Sequence, residues 1–193
     1  QVVVHTSRGQ DVLFTFSTSA GGWDKYLPPA GFKDKYQWVQ QRVASPNEFQ
    51  LKTMTGETLV YNSSGKLIEI WDTLTTPNKV LVAYDGNGMV STVTDASTKR
   101  RLLFTYASSL LTSVKFELYL SGAWSTQHTT SYSYTGGNLV SVTIGGQLAQ
   151  SHSYSSNYLT AINDGAGNNI VTFSYDSATA GKVVRVDTPR GMV

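Results

Sequence analysis

From Leu59 onward the chain repeats one local pattern: an apolar residue, one spacer, a tyrosine, a short Gly/Asn/Ser/Asp-rich stretch, then two aliphatics three residues apart. The first copy is Tyr61 with Gly65, Leu67 and Ile70, and the second is Tyr84-Asp85 with Gly88, Val90, Val93 and Asp95. Shorter copies follow at Tyr106 with Leu111 and Val114, Tyr134 with Gly137, Leu139 and Val142, and Tyr154 with Leu159 and Ile162. The last is Tyr175-Asp176 with Val183 and Val186. Successive tyrosines lie 23, 22, 28, 20 and 21 residues apart, a period near 21 with one insertion.

Two positions before each tyrosine stand Leu59, Val82, Phe104, Tyr132, His152 and Phe173, with the histidine as the polar exception. Period two is the strand signature and puts each such pair on one face of a sheet. Every unit therefore predicts strand, turn, strand, with Asn, Asp and Gly supplying the positive φ angles that hairpin turns need. The two aliphatics after the turn would lie on opposite faces of a regular strand. Either both faces are covered or a β-bulge returns both side chains inward, and a curved repeat sheet favours the bulge. Asp72, Asp95, Asp164 and Asp187 close the second strands, where an Asp commonly bonds its own backbone in an Asx-turn.

Ahead of the repeats, residues 1–60 predict lead-in hairpins. Val2–His5 and Val12–Phe16 pair across 7–10, a long loop follows at 17–35, and strands resume at 36–43 and 48–54. The aromatics of that loop, Trp23 and Tyr26, either pack over the sheet or present a binding surface. Residues 61–193 form about six repeat hairpins, with an insertion between Lys115 and Ser131 that lengthens one of them around Ser121-Gly122. The C-terminal residues suggest entry to another repeat.

Composition supports an all-β protein: Tyr, Thr, Ser, Val and Gly are abundant, and charged residues make up only 15%. The net charge is +2, and outside Lys99-Arg100-Arg101 the cations are scattered, so no basic stripe marks a nucleic-acid partner. There is no run of 18 apolar residues to span a membrane. The absence of cysteine removes disulfides, thiolate metal sites and cysteine nucleophiles. His5, His128 and His152 make no metal-ligand motif, and no nucleophile elbow or phosphate loop is present. The run 163–168 has one carboxylate, too few for a calcium loop, and predicts a turn. No catalytic residue, metal site or cofactor is expected.

The segment from Tyr84 to Asp95 closely resembles the YD repeat of RHS proteins, relatives of the teneurins and of the BC components of Tc toxins. The likeness runs from Tyr61 to Asp187, about two thirds of the chain. Only Tyr84 and Tyr175 keep the following Asp, Leu110 stands where a turn glycine belongs, and the last turn is lengthened, so wider or looser turns are expected there. The resemblance implies tandem antiparallel hairpins in a curved, solenoid-like sheet, part of a larger shell. It further implies a non-catalytic segment of a secreted or cell-surface bacterial protein that encloses or displays a toxin domain. Its partners would be flanking repeats of the same chain and that toxin domain, with edge-to-edge self-association of the open sheet through its outer, mostly β-branched segments Val2–Val4 and Val183–Val186. Carbohydrate binding or cell adhesion is the alternative, through exposed aromatics and amides. Asp176 and Asp187 faintly resemble aspartic-protease signatures, but both hold ordinary repeat positions.

Overall fold

The computed structural model describes residues 1–6, 9–43, 47–176, 181–189 and 191–192. Antiparallel strands and their turns account for nearly all of them, and the one helical element among them is a 3-10 turn at Ala30–Phe32. The chain forms two compact units, Gln1–Arg100 and Arg101–Val193.

The first unit holds β1 (Val2–His5), β2 (Asp11–Ala20), β3 (Trp23–Leu27), β4 (Tyr36–Arg42), β5 (Phe49–Thr53), β6 (Thr58–Tyr61), β7 (Leu67–Trp71), β8 (Lys79–Tyr84) and β9 (Val90–Asp95). Each pairs antiparallel with the next. The strand β2 has two partners: its start, through Phe14, pairs with β1, and from Thr15 it pairs with β3. The β1–β2 hairpin thereby folds over the sheet that the rest of β2 begins. Register lines up Tyr26, Val39, Leu51 and Leu59 on one sheet face. Val12 and Phe14 from the hairpin pack on that row, with Val2, Val4, Phe32, Tyr36 and Tyr61 around them. Phe14 is wholly buried and its ring lies 5.9 Å from that of Tyr36.

Here the structure corrects the expected loop at 17–35. Gly21 and Gly22, with φ of 58° and 80°, make a two-residue hairpin turn, so β2 runs to Ala20 and β3 starts at Trp23; apart from that turn, only 28–35 of the expected loop lie outside strands. Tyr26 joins the core, whereas Trp23 lies beneath the Arg42 guanidinium, 5.5 Å from the ring centroid. The segment Val2–Val4, expected as an exposed edge, turns Val2 and Val4 into the core and leaves Val3 outside.

The second unit contains most of β10 (Arg100–Ala107), then β11 (Leu110–Leu120), β12 (Ala123–Thr135), β13 (Asn138–Ile144), β14 (Gln147–Ser155), β15 (Tyr158–Asp164), β16 (Asn169–Tyr175), β17 (Val183–Thr188) and β18 (Gly191–Met192). From β11 on, each strand pairs with its successor. The inserted segment lengthens the β11–β12 hairpin, with Ser121-Gly122 at its tip. A looser turn was expected at Leu110. The structure instead has a two-residue turn at Ser108-Ser109, with φ of 48° and 66°, and another at Ser156-Asn157, with φ of 50° and 67°. Both central residues of each accept the left-handed region, which the twist of the flanking strands favours. The predicted turns through 7–8, 44–46 and 177–180 fall outside the described residues.

Among the described residues, the buried hydrophobic side chains all belong to the first unit. The repeat aliphatics are mostly half-buried, as in a sheet of one layer where neighbouring hairpins cover one another along the surface.

Candidate functional site

The predicted signature residues meet across each hairpin in one recurring arrangement. Tyr61 pairs with Leu67 and Leu59 with Ile70; Tyr84 pairs with Val90 and Val82 with Val93. In the second unit the pairs are Tyr134 with Leu139 and Tyr132 with Val142, then Tyr154 with Leu159 and His152 with Ile162, then Tyr175 with Val183 and Phe173 with Val186. In all five hairpins the register shifts immediately before the tyrosine. One residue after the first aliphatic is skipped, and the bulge puts both aliphatics on the tyrosine's face. In the remaining copy, Tyr106 on β10 and Leu111 and Val114 on β11 flank the Ser108-Ser109 turn, and the Thr112 hydroxyl donates to the Thr105 carbonyl.

The tyrosine also reaches beyond its own hairpin. Tyr84 donates its hydroxyl to the Leu67 carbonyl at 2.8 Å, and Tyr175 does the same to the Leu159 carbonyl at 2.7 Å. In both cases the acceptor belongs to the first aliphatic of the preceding repeat. Turns add further links: Lys66 Nζ donates to the Gly88 carbonyl and sits 4.8 Å from the Tyr84 ring centroid. Asn138 donates to Asn157, and the rings of Tyr158 and Tyr175 lie 5.1 Å apart. Removing one such hydroxyl is expected to cost about 1 kcal/mol, the net worth of a typical hydrogen bond. Tyr84→Phe and Tyr175→Phe lie in separate units, so their losses should add in urea denaturation; no loss in either would show that the hydroxyl links are not structural.

The aspartate of the motif is a turn acceptor. Asp85 Oδ1 takes the N–H groups of Asn87 and Met89, and Asn62 Oδ1 takes those of Ser64 and Lys66. Asp164 repeats this with Ala166 and Asn168. Gly65, Gly88 and Gly167 occupy the positive-φ position of the three turns, at 75°, 79° and 86°. Among the strand-end aspartates, Asp72, Asp95 and Asp164 form Asx-turns, and hydrogen bonds to Thr98 and Asn168 hold the Asp95 and Asp164 carboxyls below their ordinary range. Asp187 instead pairs with Arg185 at 2.7 Å. Asp176 offers its backbone N–H to the Lys182 carbonyl.

His152 fills an apolar position, and its Nδ1 is buried without a hydrogen-bond partner. His152→Val restores the apolar pattern and is expected to stabilise the protein by about 1 kcal/mol, by removing an unsatisfied polar atom. A fall in the thermal midpoint would show that the imidazole makes a contact worth more than its desolvation.

A cleft of about 590 Å³ runs between β1 and the sheet, with Val2, Val4, Val39 and Leu51 on its walls and Gln41 and Ser63 among its polar groups. His5, also at the cleft, is hydrogen-bonded to Asp11 at 2.6 Å. Tyr61 borders the cleft, and burial, with the nearby Tyr36 and Tyr84 adding to it, raises its hydroxyl above the ordinary tyrosine range. Among the described residues no three His, Asp or Glu side chains gather as a metal site, and no helix is long and apolar enough to cross a membrane.

One charged centre escaped the sequence reading. Glu117 on β11 is 6% exposed and accepts hydrogen bonds from Arg101 Nε at 2.6 Å and Thr126 Oγ1 at 3.0 Å. The guanidinium lies 4.3 Å from the Trp124 ring centroid, and Trp124 packs edgewise on Tyr119. Burial alone would raise the Glu117 carboxyl, but the hydrogen bonds and the charges of Arg101 and Lys115 outweigh it and hold the group below its ordinary range. Comparison with family models and with curated proteins finds no match.

Proposed function

We propose that this chain is a non-catalytic, wall-building segment of a larger surface or secreted protein of the RHS/YD-repeat type, in which tandem hairpins make a curved β-shell around or beneath a toxin or effector domain. The observation that carries this reading is the link from one hairpin to the next: the same bulged register recurs in five hairpins, and at Tyr84 and Tyr175 the hydroxyl bonds a backbone carbonyl of the repeat before. Such a rule lets a sheet lengthen one unit at a time without a closed core, as repeat arrays do. The half-buried aliphatics of the second unit suit a sheet of that kind.

The N-terminal hairpin adds a second layer to the lead-in strands, since β1 with the start of β2 covers them with Val12 and Phe14. Electron microscopy of the full polypeptide that carries this segment tests the proposal. A hollow β-walled particle with residues 1–193 in its wall is expected; a segment folded as a separate bead outside any shell would overturn it.

A further inference from the structure

The layer that covers the sheet of the first unit is two strands wide. It consists of β1 and the start of β2, whose Val12 and Phe14 pack on Tyr26, Val39 and Leu51. The cleft of about 590 Å³ continues that interface on the other side of β1. All four residues of β1 border it and no described residue of β2 does, so its wall is the edge of β1 and not one face. Beneath it Val39 of β4, Phe49 and Leu51 of β5 and Tyr61 of β6 carry the apolar surface onward.

Although Val2 and Val4 bury their side chains, the backbone edge of β1 is left open. Thr6 donates its N–H to the Gln10 carbonyl at 2.9 Å, and the register runs on through His5 with Asp11, Val4 with Val12, Val3 with Leu13 and Val2 with Phe14. Antiparallel pairs alternate between hydrogen-bonded and non-hydrogen-bonded. Val4 and Val2 therefore bond β2, while the N–H and C=O groups of Val3 and His5 point the other way, along the cleft. Among the described strands of this unit only β2 pairs with β1.

Edge strands that avoid further pairing carry lysine, proline or a bulge. The strand β1 has none of these: its register with β2 is unbroken, Val3 is 46% exposed, and Asp11 holds the His5 imidazole at 2.6 Å. The polar residues Gln41, Ser63 and Ser64 at the cleft are uncharged. An acyl chain would fill such a cleft but leave the backbone groups of Val3 and His5 without partners. An extended peptide satisfies both, with its main chain on the edge and every second side chain on the apolar floor.

We propose that the cleft takes an extended peptide as a third strand of the covering layer, antiparallel to β1, with aliphatic side chains at alternate positions resting on Val39, Phe49, Leu51 and Tyr61. The proposal stands on this cleft and does not depend on the wall-building role. A capped peptide alternating valine and threonine, with a lysine at each end for solubility, titrated into the whole chain and followed by backbone NMR, tests it. Binding is expected to shift the amide signals of Val3 and His5 and to slow their hydrogen exchange. Methylating the threonine nitrogens, which face β1 when the valines face the floor, should weaken binding about tenfold or more, the worth of two lost hydrogen bonds. Methylating the valine nitrogens should weaken it far less. Val3→Pro removes a donor on the protein's side at a position where an edge strand tolerates proline, and should match the first loss with little change in thermal midpoint; if that variant fails to fold, the methylated peptides still decide. No binding of the peptide would overturn the proposal, and so would shifts confined to residues 101–193. Equal binding of the three peptides, or dodecanoate binding as tightly as the unmethylated one, would reduce the cleft to an apolar pocket and overturn it. A chain that sedimentation shows to dimerise through β1, excluding the peptide, would give the edge to a second copy and overturn it equally.

Discussion

Phe14→Ala is expected to destabilise the first unit by about 3–5 kcal/mol, the cost of deleting a fully buried aromatic side chain. Phe14 has no exposed surface, and it joins the covering hairpin to the sheet through Val12, Tyr26, Val39 and Leu51. Truncation loses the transfer energy of the ring and leaves a hole between two layers. The neighbouring Leu13, on the same strand but 44% exposed, provides the contrast: Leu13→Ala should move stability by well under about 1 kcal/mol. Urea denaturation of the two variants measures the difference. Equal, small losses would mean that the hairpin rests on the sheet without forming a core.

That covering layer was only half legible in the sequence. Val2-Val3-Val4 and Val12-Leu13-Phe14 are unbroken apolar runs, which mark strands but do not say which face is buried or which other strands it covers. The valines looked like an open edge for that reason. The misplaced loop has a similar origin. Gly21-Gly22 can break a chain or make a two-residue turn, and the five residues after it bury one side chain deeply, Tyr26, too weak a period to mark a strand.

The hairpins, by contrast, were legible because local chemistry and pairing agree. Tyrosine, turn and spaced aliphatics occur at fixed offsets, and the three-residue spacing pointed to the bulge that the register then shows beside Tyr61, Tyr84, Tyr134, Tyr154 and Tyr175. The turn before Leu110 was misjudged, because Ser108-Ser109 carry positive φ at non-glycine residues, as Ser156-Asn157 also do, a strain that strand pairing on both sides sustains. The tyrosine's bond to the preceding repeat could not be read at all, since its acceptor is a backbone carbonyl 17 residues upstream in one case and 16 in the other.

Arg101→Ala should destabilise the second unit by about 2–4 kcal/mol at neutral pH, somewhat below the full cost of breaking a buried ion pair because the arginine is itself partly exposed. In the sequence Arg101 belongs to a short basic run and Glu117 lies 16 residues on, so neither announces the other. In the structure the guanidinium neutralises a carboxylate that is almost without solvent, while Thr126 supplies only one further donor. The pH dependence separates this cause from lost packing on Trp124. With Arg101 present, the folded-state Glu117 carboxyl is held below its ordinary range, so its contribution to stability is complete above that range and fades as pH falls through the depressed value. Without Arg101 the carboxyl loses the arginine's hydrogen bond and charge while its desolvation stays, so its folded-state value rises relative to wild type and less of its stability depends on the charged form. The gap between wild type and variant should therefore narrow as pH falls from neutrality through about 4, the ordinary glutamate range. Thermal midpoints at pH 7 and at pH 4 measure that gap; one that stays constant would assign the loss to the missing cation–π contact with Trp124 and not to the buried charge.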